Sequence, residues 1–238
     1  MNISAGNIHF QELNEKVKST TGDICIDECC GQRFIASGAS GRTITINGTP
    51  GNALGAYLDG AEIQVNGNVQ DAVGDTMNDG KIIVHGNAGD ALGYAMRGGT
   101  IFVKGNAGYR TGIHMKEYNE KKPVIVIGGS VGSFLGEYLA GGVIIVLGLD
   151  AEEIPVGHFT GTGMHGGRIY IRTSAVIDEL PSQVIAEEAT ADELAEIQKY
   201  ITAFASHFGY DNAKFANDRF LLLKPNAKNP YKQLYTEN

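Results

Sequence analysis

The sequence predicts an all-β protein, a right-handed parallel β-helix of about seven coils, with a C-terminal α-helix and tail. Three observations carry this prediction: a 19-residue internal repeat, glycines at two fixed places in each repeat, and strands whose residues alternate between two faces. The predicted organisation is an N-terminal cap segment over residues 1–31, the β-helix over residues 32–173, and a C-terminal helix with a docking tail over residues 174–238.

The repeat is clearest in the first inward-facing apolar residue of each strand. Successive positions are 19, 19, 19, 24, 19 and 25 residues apart, so a 19-residue unit with insertions of five and six residues accounts for all of them. A left-handed helix of hexapeptides should repeat at about 18 residues, and the longer unit therefore favours a right-handed coil. The positions are Ile44, Ile63, Ile82, Ile101, Ile125, Ile144 and Ile169.

Two glycine columns keep the same register as the isoleucines. One ends each strand, the other follows after a short segment, and a large apolar residue comes three residues later. Each unit is therefore predicted to run as strand, glycine corner, apolar segment and second glycine corner. The first column is Gly48, Gly67, Gly86, Gly105, Gly129 and Gly148; the second is Gly55, Gly74, Gly93, Gly112, Gly136 and Gly161; the apolar residues are Leu58, Met77, Met96, Met115, Leu139 and Met164.

The two faces of the strands differ along the stack. Stacking the coils about 4.8 Å apart pairs the strands in parallel and buries the inward residues in one continuous core. The outward residues are polar in the early strands and apolar in the later ones, and an exposed apolar surface usually contacts another segment or molecule. We call the later outward residues the apolar stripe: Val124, Val126, Val143, Ile145 and Leu147.

The sequence changes character after Thr173, where glycine almost disappears. Thr190 and Glu193 form a capping box that opens an amphipathic helix, and Gly209 ends this helix. We expect the helix either to pack on the apolar stripe or to cap the open end of the column.

Both termini are expected to cover part of the β-helix. A short N-terminal helix with Phe10, Leu13 and Val17 on one face should protect the edge of the first coil. The apolar tail segments Phe220–Pro225 and Pro230–Tyr235 are expected to dock on the rest of the protein.

The composition excludes several classes of partner. The 238 residues carry a net charge of −8, whereas nucleic acids and anionic membranes bind clustered Lys and Arg side chains. Apolar runs such as Val143–Leu147 are much shorter than the ~20 residues of a membrane span. Residues 1–10 lack the basic and apolar regions of a signal peptide, so a cytoplasmic location is expected.

The three cysteines lie within six residues, at Cys25, Cys29 and Cys30. An odd, clustered set is not a secreted disulfide framework, so reduced thiols are expected. Their spacing matches no common zinc or ferredoxin pattern. A structural role is the main interpretation, and a metal, cluster or redox role with ligands from a partner is the alternative.

Repeated polar and glycine-rich positions are interpreted first as architecture. The segment Gly86–Gly93 is similar to a phosphate-binding loop, but it recurs in nearly every coil and lacks the Lys-Ser/Thr of a P-loop. One column of asparagines is expected to stack its amides, and a second column to cap backbone groups, with a cation site as its alternative. These columns are Asn68, Asn87 and Asn106, and Asn52, Asp71 and Asp90.

No catalytic group of residues is recognisable. His114 and His165 occupy equivalent places beside Met115 and Met164, but no Ser or Cys nucleophile accompanies them at a recognisable spacing. Packing or partner contact is their expected role. The first insertion, Lys116–Lys122, mixes charges of both signs, unlike the carboxylate and basic clusters of polysaccharide lyases. We therefore predict no catalytic, cofactor-binding or metal-binding residue.

Four coils carry a more specific signature. They resemble the GXGXG domain, which forms the C-terminal part of the glutamate synthase large subunit and also occurs alone as glutamate synthase subunit 3. A related domain makes up one subunit of formylmethanofuran dehydrogenase. The resemblance extends from about Gly31 to Arg172, and its clearest segments are Gly86–Gly99, Gly108–Tyr118, Phe134–Gly142 and Gly161–Gly167.

The resemblance implies a right-handed β-helix that contributes no catalytic residue. In glutamate synthase, glutamine hydrolysis belongs to an amidotransferase domain, and 2-oxoglutarate amination to a domain with FMN and an iron–sulfur cluster. The chain is therefore expected to be a scaffold subunit, without a cofactor of its own, in an oxidoreductase complex of glutamate biosynthesis and ammonia assimilation. Its expected partners are a glutaminase-type amidotransferase and an FMN-containing synthase subunit, and it is expected to help wall the ammonia passage.

Two alternatives stay open at this point. One is a scaffold subunit of a formylmethanofuran dehydrogenase-type complex, and the other, of a different class, is a carbohydrate-active β-helix enzyme. The expected contacts with catalytic partners are the two insertions, Lys116–Lys122 and Leu149–Gly157, and the apolar stripe. The stripe and the stackable coil ends also suggest a homo-oligomer when partners are missing.

Overall fold

The computed structural model describes residues 1–177, 179–215 and 218–226. Within these residues the helices are α1 Phe10–Ser19 and α2 Ala191–Phe208, with a short 3-10 helix at Asn212–Phe215. The strands are β1 Asn2–Ser4, β2 Ile24–Cys30, β3 Thr43–Thr49, β4 Asp59–Asn66, β5 Asp79–Val84, β6 Thr100–Val103, β7 Val124–Ile127, β8 Ala140–Val146, β9 Gly166–Arg172, β10 Val184–Glu188 and β11 Phe220–Pro225.

Strands β2 to β9 pair in parallel in sequence order, so the chain winds as a parallel β-helix of about eight turns. The isoleucine column is the pairing register: Ile44 pairs with Ile63, and the same register continues to Ile169. The predicted fold class is confirmed, with one turn more than the seven coils expected. In the extra turn, Ile24 of β2 pairs with Ile44 and a β-bulge follows Ile26.

The interior is a continuous apolar core that follows the whole column. The inward pairs of the strands and the predicted Leu and Met column are buried in it together. The second glycine column packs against this core. Gly93 has a φ of +68°, and a Cβ atom there would lie 2.4 Å from the Cδ1 atom of Ile125, so a side chain at this position would collide with the core.

Each turn also contains a segment in which every second residue has a positive φ. In one turn these residues are Ala91 (+54°), Gly93 (+68°) and Ala95 (+49°). We call residues 91–95 and their equivalents in other turns the coil arcs. The amides of an arc bond to both neighbouring turns: Gly93 donates to the Val73 carbonyl and Ala95 to the Ile113 carbonyl, each at 2.8 Å. The outer positions of the arcs accept side chains from alanine to tyrosine.

The two insertions leave the register of the column intact. The first contains a small hairpin in which the backbones of Tyr118 and Lys121 form an antiparallel bridge. On the far side of the coil, Val131 bridges in parallel to Ala107 in the preceding turn and to Val156 in the following turn. The extra residues are therefore accommodated between fixed points.

Both ends of the column are covered by the chain itself. As predicted, α1 packs Leu13 and Val17 into the core, and β1 pairs with β2 in parallel. At the other end, β11 pairs with β9 and β10 pairs with β11, both antiparallel. The tail segment Phe220–Pro225 therefore docks as a strand, whereas the predicted segment Pro230–Tyr235 lies outside the described residues.

Helix α2 lies over the apolar stripe. It opens with the predicted capping box of Thr190 and Glu193 and ends at Gly209, whose φ is +73°. Its apolar face and the stripe share a second hydrophobic cluster, separate from the column interior. The helix residues in this cluster are Ile197, Ile201, Phe204, Ala205 and Phe208.

This packing corrects one expectation about partners. The apolar stripe is not a contact surface for another subunit, because the amphipathic face of α2 already buries it. The stripe and the coil ends were also the two features that suggested a homo-oligomer. Both are covered within the chain, so this support for self-association is lost.

Candidate functional site

The asparagine column joins successive turns through the backbone. Asn87 donates its backbone N–H to Asn68 Oδ1 at 2.8 Å, and Asn106 donates to Asn87 Oδ1 at 2.8 Å. Ser130 donates to Asn106 Oδ1 in the same way at 2.7 Å. Each amide oxygen therefore bonds to the main chain of the next turn, whereas the sequence predicted hydrogen bonds between stacked side-chain amides.

The second column behaves similarly, which supports the capping interpretation. Asp71 donates its backbone N–H to Asn52 Oδ1 at 3.2 Å, and Asp90 donates to Asp71 Oδ1 at 2.9 Å. Tyr109 continues the series by donating to Asp90 Oδ1 at 2.8 Å. Over the described ranges, no three His, Cys, Asp or Glu side chains are grouped so as to hold a metal ion.

The three cysteines are free thiols in different environments on β2. Cys29 is buried in the core, where its thiol lies 3.5 Å from Gln32 Oε1, and burial raises its pKa to about 11. Cys25 is half-buried; burial first, and then the neighbouring carboxylate of Asp27, raise its pKa. Cys30 is exposed. The cluster in sequence is therefore spread between the core and the surface.

The two candidate histidines have separate surroundings. His165 is half-buried, with Nδ1 3.1 Å from the Gly163 carbonyl oxygen. His114 is exposed and stacks on Tyr138, with ring centroids 5.1 Å apart and planes 7° from parallel. The Tyr94 ring lies nearly perpendicular to the His114 ring, with ring centroids 6.0 Å apart. His114 therefore belongs to an aromatic group.

A second group of rings occurs in the same part of the column, and the two groups together span four consecutive turns, those that begin with β5, β6, β7 and β8. Phe134 lies between Tyr109 and Phe159, with ring centroids 5.2 and 4.9 Å away. Phe159 is 54% exposed and Tyr138 44% exposed. We call the two groups together the aromatic surface: Tyr94, Tyr109, Arg110, His114, Phe134, Tyr138, His158 and Phe159.

Arg110 is held firmly within the aromatic surface. Its Nε donates to Glu137 Oε2 at 2.6 Å, and only 9% of the Glu137 side chain is exposed. The guanidinium carbon also lies 4.8 Å from the Tyr109 ring centroid and 5.5 Å from that of Phe134. The hydrogen bond to Glu137 raises the pKa of Arg110. The guanidinium group of Arg110 is therefore held in a fixed position among the rings.

The fold itself does not require these side chains. In the three preceding turns, the residues equivalent to Arg110 are Ala91, Ala72 and Ala53. Exposed aromatic and arginine side chains with few lysines are typical of binding hot spots in protein interfaces. His114 closely precedes the first insertion and His158 closely follows the second, so both insertions border the aromatic surface.

The described helices are too short or too polar to cross a membrane.

The model of the GXGXG motif family matches residues 7–226. The uncharacterized protein MJ1350 of Methanocaldococcus jannaschii is 43% identical over 249 residues, which cover 98% of this chain and 95% of that protein. A solved chain of the formyltransferase/hydrolase complex from Methylorubrum extorquens, determined with methylofuran, has the same fold, with a TM-score of 0.62, 19% identity, and coverage of 92% of this chain and 89% of that chain. This chain therefore belongs to the GXGXG motif family.

Proposed function

We propose that the chain is a non-catalytic scaffold subunit that binds partner subunits of a multi-subunit enzyme through the aromatic surface. The observation that carries this proposal is two sets of exposed rings, one of them around a fixed arginine, at outward positions of four consecutive turns. A β-helix holds such side chains on a rigid frame, because each arc is hydrogen-bonded to the turns on both sides.

The side chains that the sequence offers for chemistry support the same proposal. Asp71 and Asp90 each accept a hydrogen bond from the backbone of the next turn, and Cys29 is buried in the core. These are structural roles. They weigh against a carbohydrate-active enzyme, which needs carboxylates directed at a substrate.

The similarity to a solved structure favours one type of assembly. A chain of the formyltransferase/hydrolase complex has this fold over nearly its whole length. A scaffold subunit of a formylmethanofuran-type complex is therefore one candidate for this chain. At 19% identity the likeness concerns the fold, and the candidate needs a direct test of partners.

The coil motifs favour a second assembly, a glutamate synthase. The segments Gly86–Gly99 and Gly161–Gly167 are similar to the GXGXG domain of that enzyme. In this candidate the chain positions a glutaminase-type amidotransferase and an FMN-containing synthase subunit and helps to wall the ammonia passage. FMN and the iron–sulfur cluster then belong to the partners.

Affinity purification of the tagged chain from its native host, at natural abundance, tests the proposal. Formyltransferase and hydrolase subunits in stoichiometric amounts would support the first assembly, and amidotransferase and FMN-synthase subunits the second. Purification of the chain alone would contradict a scaffold role. Turnover of glutamine and 2-oxoglutarate by the isolated chain would also contradict it.

The aromatic surface offers a matched pair of variants for the same purification. Tyr138 and Tyr57 occupy equivalent arc positions, with φ values of +52° and +57°, but Tyr57 lies outside the aromatic surface. Tyr138→Ala should weaken partner binding at least tenfold, since truncation of a hot-spot residue costs about 2 kcal/mol or more. Tyr57→Ala should leave binding unchanged. Equal effects of the two variants would overturn the assignment of this surface.

A further inference from the structure

A polar cleft lies where the first insertion folds back over the column. One wall of the cleft consists of Asp59, Asn78 and Arg97, which occupy the same place in three successive turns. The hairpin Tyr118–Lys121 forms the other wall. The cavity measures about 630 Å³, which is a volume typical of sites for small molecules. We call it the insertion cleft.

The walls of the insertion cleft are fixed relative to each other. The hairpin is closed by two backbone hydrogen bonds between Tyr118 and Lys121, of 3.2 and 3.0 Å. Lys121 Nζ then reaches to the column, 2.9 Å from Asp79 Oδ2 and 3.8 Å from Asp59 Oδ1. The cleft is therefore formed before any ligand enters, and Lys121 and Asp79 largely neutralise each other.

Several polar side chains meet in the cleft without protein partners. Arg97 Nε is buried and donates to no acceptor in the described part of the chain, where Arg97 also makes no ion pair. A buried N–H group of this kind is costly to leave unpaired. Four other side chains in the cleft likewise have no hydrogen-bond partner within the described residues: those of Asn78, Tyr118, Asn119 and Glu120.

The charges around the cleft select the type of ligand. Arg97 offers a planar fork of donors that matches a carboxylate. Glu120 is an unpaired carboxylate within the described residues, and Asp59 is held only by the distant Lys121 there. These carboxylates disfavour a simple anion, and Arg97 disfavours a simple cation. A molecule with a carboxylate at one end and an ammonium group at the other satisfies both.

We infer that the insertion cleft binds a small zwitterion of the free α-amino acid type. Its carboxylate bonds to Arg97, its ammonium group faces Glu120 and Asp59, and Asn78 and Asn119 line the rest of the cleft. Binding needs no partner subunit, because this chain forms all the named walls. The inference therefore goes beyond the proposed scaffold function and does not depend on it.

The test uses the full-length chain, labelled with ¹⁵N, and three matched probes: L-alanine, L-lactate and L-alaninamide. Lactate lacks the ammonium group, and alaninamide lacks the carboxylate. L-alanine should shift the backbone signals of Tyr118–Lys121 and the Arg97 Nε–H signal in a saturable way. The other two probes should bind at least tenfold more weakly. Equal binding of lactate and alanine, or no saturable shift at these signals, would overturn the inference.

Variants separate a specific site from general surface binding. Arg97→Gln and Glu120→Gln should each weaken L-alanine binding at least tenfold. Lys104→Gln, which removes an exposed positive charge elsewhere in the column, is the control and should bind as the parent chain does. If Arg97→Gln does not fold, the exposed Glu120→Gln decides the test. Unchanged binding in Glu120→Gln contradicts a zwitterion site.

Discussion

The amide oxygen of Asn87 occupies the space in which a Cβ atom of residue 105 would lie: a Cβ built on Gly105 is 2.2 Å from Asn87 Oδ1. The same oxygen accepts the backbone N–H of Asn106 at 2.8 Å. At Gly86, Gly105 and Gly129 the glycine and asparagine columns therefore act together, because the missing Cβ lets an asparagine side chain reach the main chain of the next turn.

We expect the two residues to be energetically coupled. Asn87→Ala should cost about 0.5–1.5 kcal/mol of unfolding free energy through the lost hydrogen bond. Gly105→Ala should cost about 1–3 kcal/mol, because the new methyl group collides with Asn87 Oδ1. In the double variant the collision is relieved, so the combined cost should be smaller than the sum. Chemical denaturation of the four chains measures this, and strict additivity would show that the contact is not shared.

Helix α2 provides a second prediction about stability. Phe204 is fully buried, 4.8 Å from Phe208 between ring centroids, and a Cβ on Gly128 would lie 2.7 Å from its Cζ atom. Phe204→Ala should therefore lower the free energy of unfolding by about 3–5 kcal/mol. It should also increase the binding of a hydrophobic dye, because the apolar stripe is uncovered. Gln198→Ala, on the exposed face of α2, should change neither measurement; similar losses in both variants would contradict this packing.

The column interior is predictable from sequence because its physical requirements repeat in every turn. Ile63, Ile82 and Ile101 must all face the core, and each turn adds one copy of the same constraint. The turn that begins with β2 departs from the 19-residue spacing, because a β-bulge shifts the register after Ile26 and Glu28 within it has a φ of +56°. A repeat search based on spacing therefore begins one turn too late.

The aromatic surface is not predictable in the same way. Tyr109, Phe134 and Phe159 do not share one repeat column, and the two insertions change the spacing between their turns. Outward arc positions also have no packing requirement, so their sequence carries no period. Of the two histidines that the sequence singles out, His114 and His165, the structure includes His114 alone in the aromatic surface.

The reactivity of the three thiols should follow their surroundings. Cys30 is exposed and should react first with an aromatic disulfide reagent at about pH 8. Burial raises the pKa of Cys29 to about 11, so this thiol should react only when the chain unfolds. Cys30→Ser should remove the fast phase and leave the slow phases unchanged. A fast phase that persists in Cys30→Ser would show that β2 opens readily, contrary to its position between β1 and β3.

Two histidines at the contact between α2 and the sheet should make stability depend on pH. Burial lowers the pKa of His85, with Lys104 as a second cause, and burial likewise lowers the pKa of His207, with Lys81 as a second cause. Both rings lie against aromatic neighbours: His85 is 5.2 Å from Phe208 and His207 is 5.1 Å from Phe102, between ring centroids. The folded chain therefore favours the neutral form of both histidines.

The sign of the pH effect follows from this preference. Above the unfolded pKa of about 6.5 both states are neutral, and the contribution to stability is fully present. As the pH falls below this value, the unfolded chain takes up protons first, so the free energy of unfolding decreases until the lowered folded pKa values are passed. Chemical denaturation between about pH 7.5 and 5 measures the decrease. The double variant His85→Gln, His207→Gln should flatten the profile in this range, and an unchanged profile in this variant would contradict the prediction.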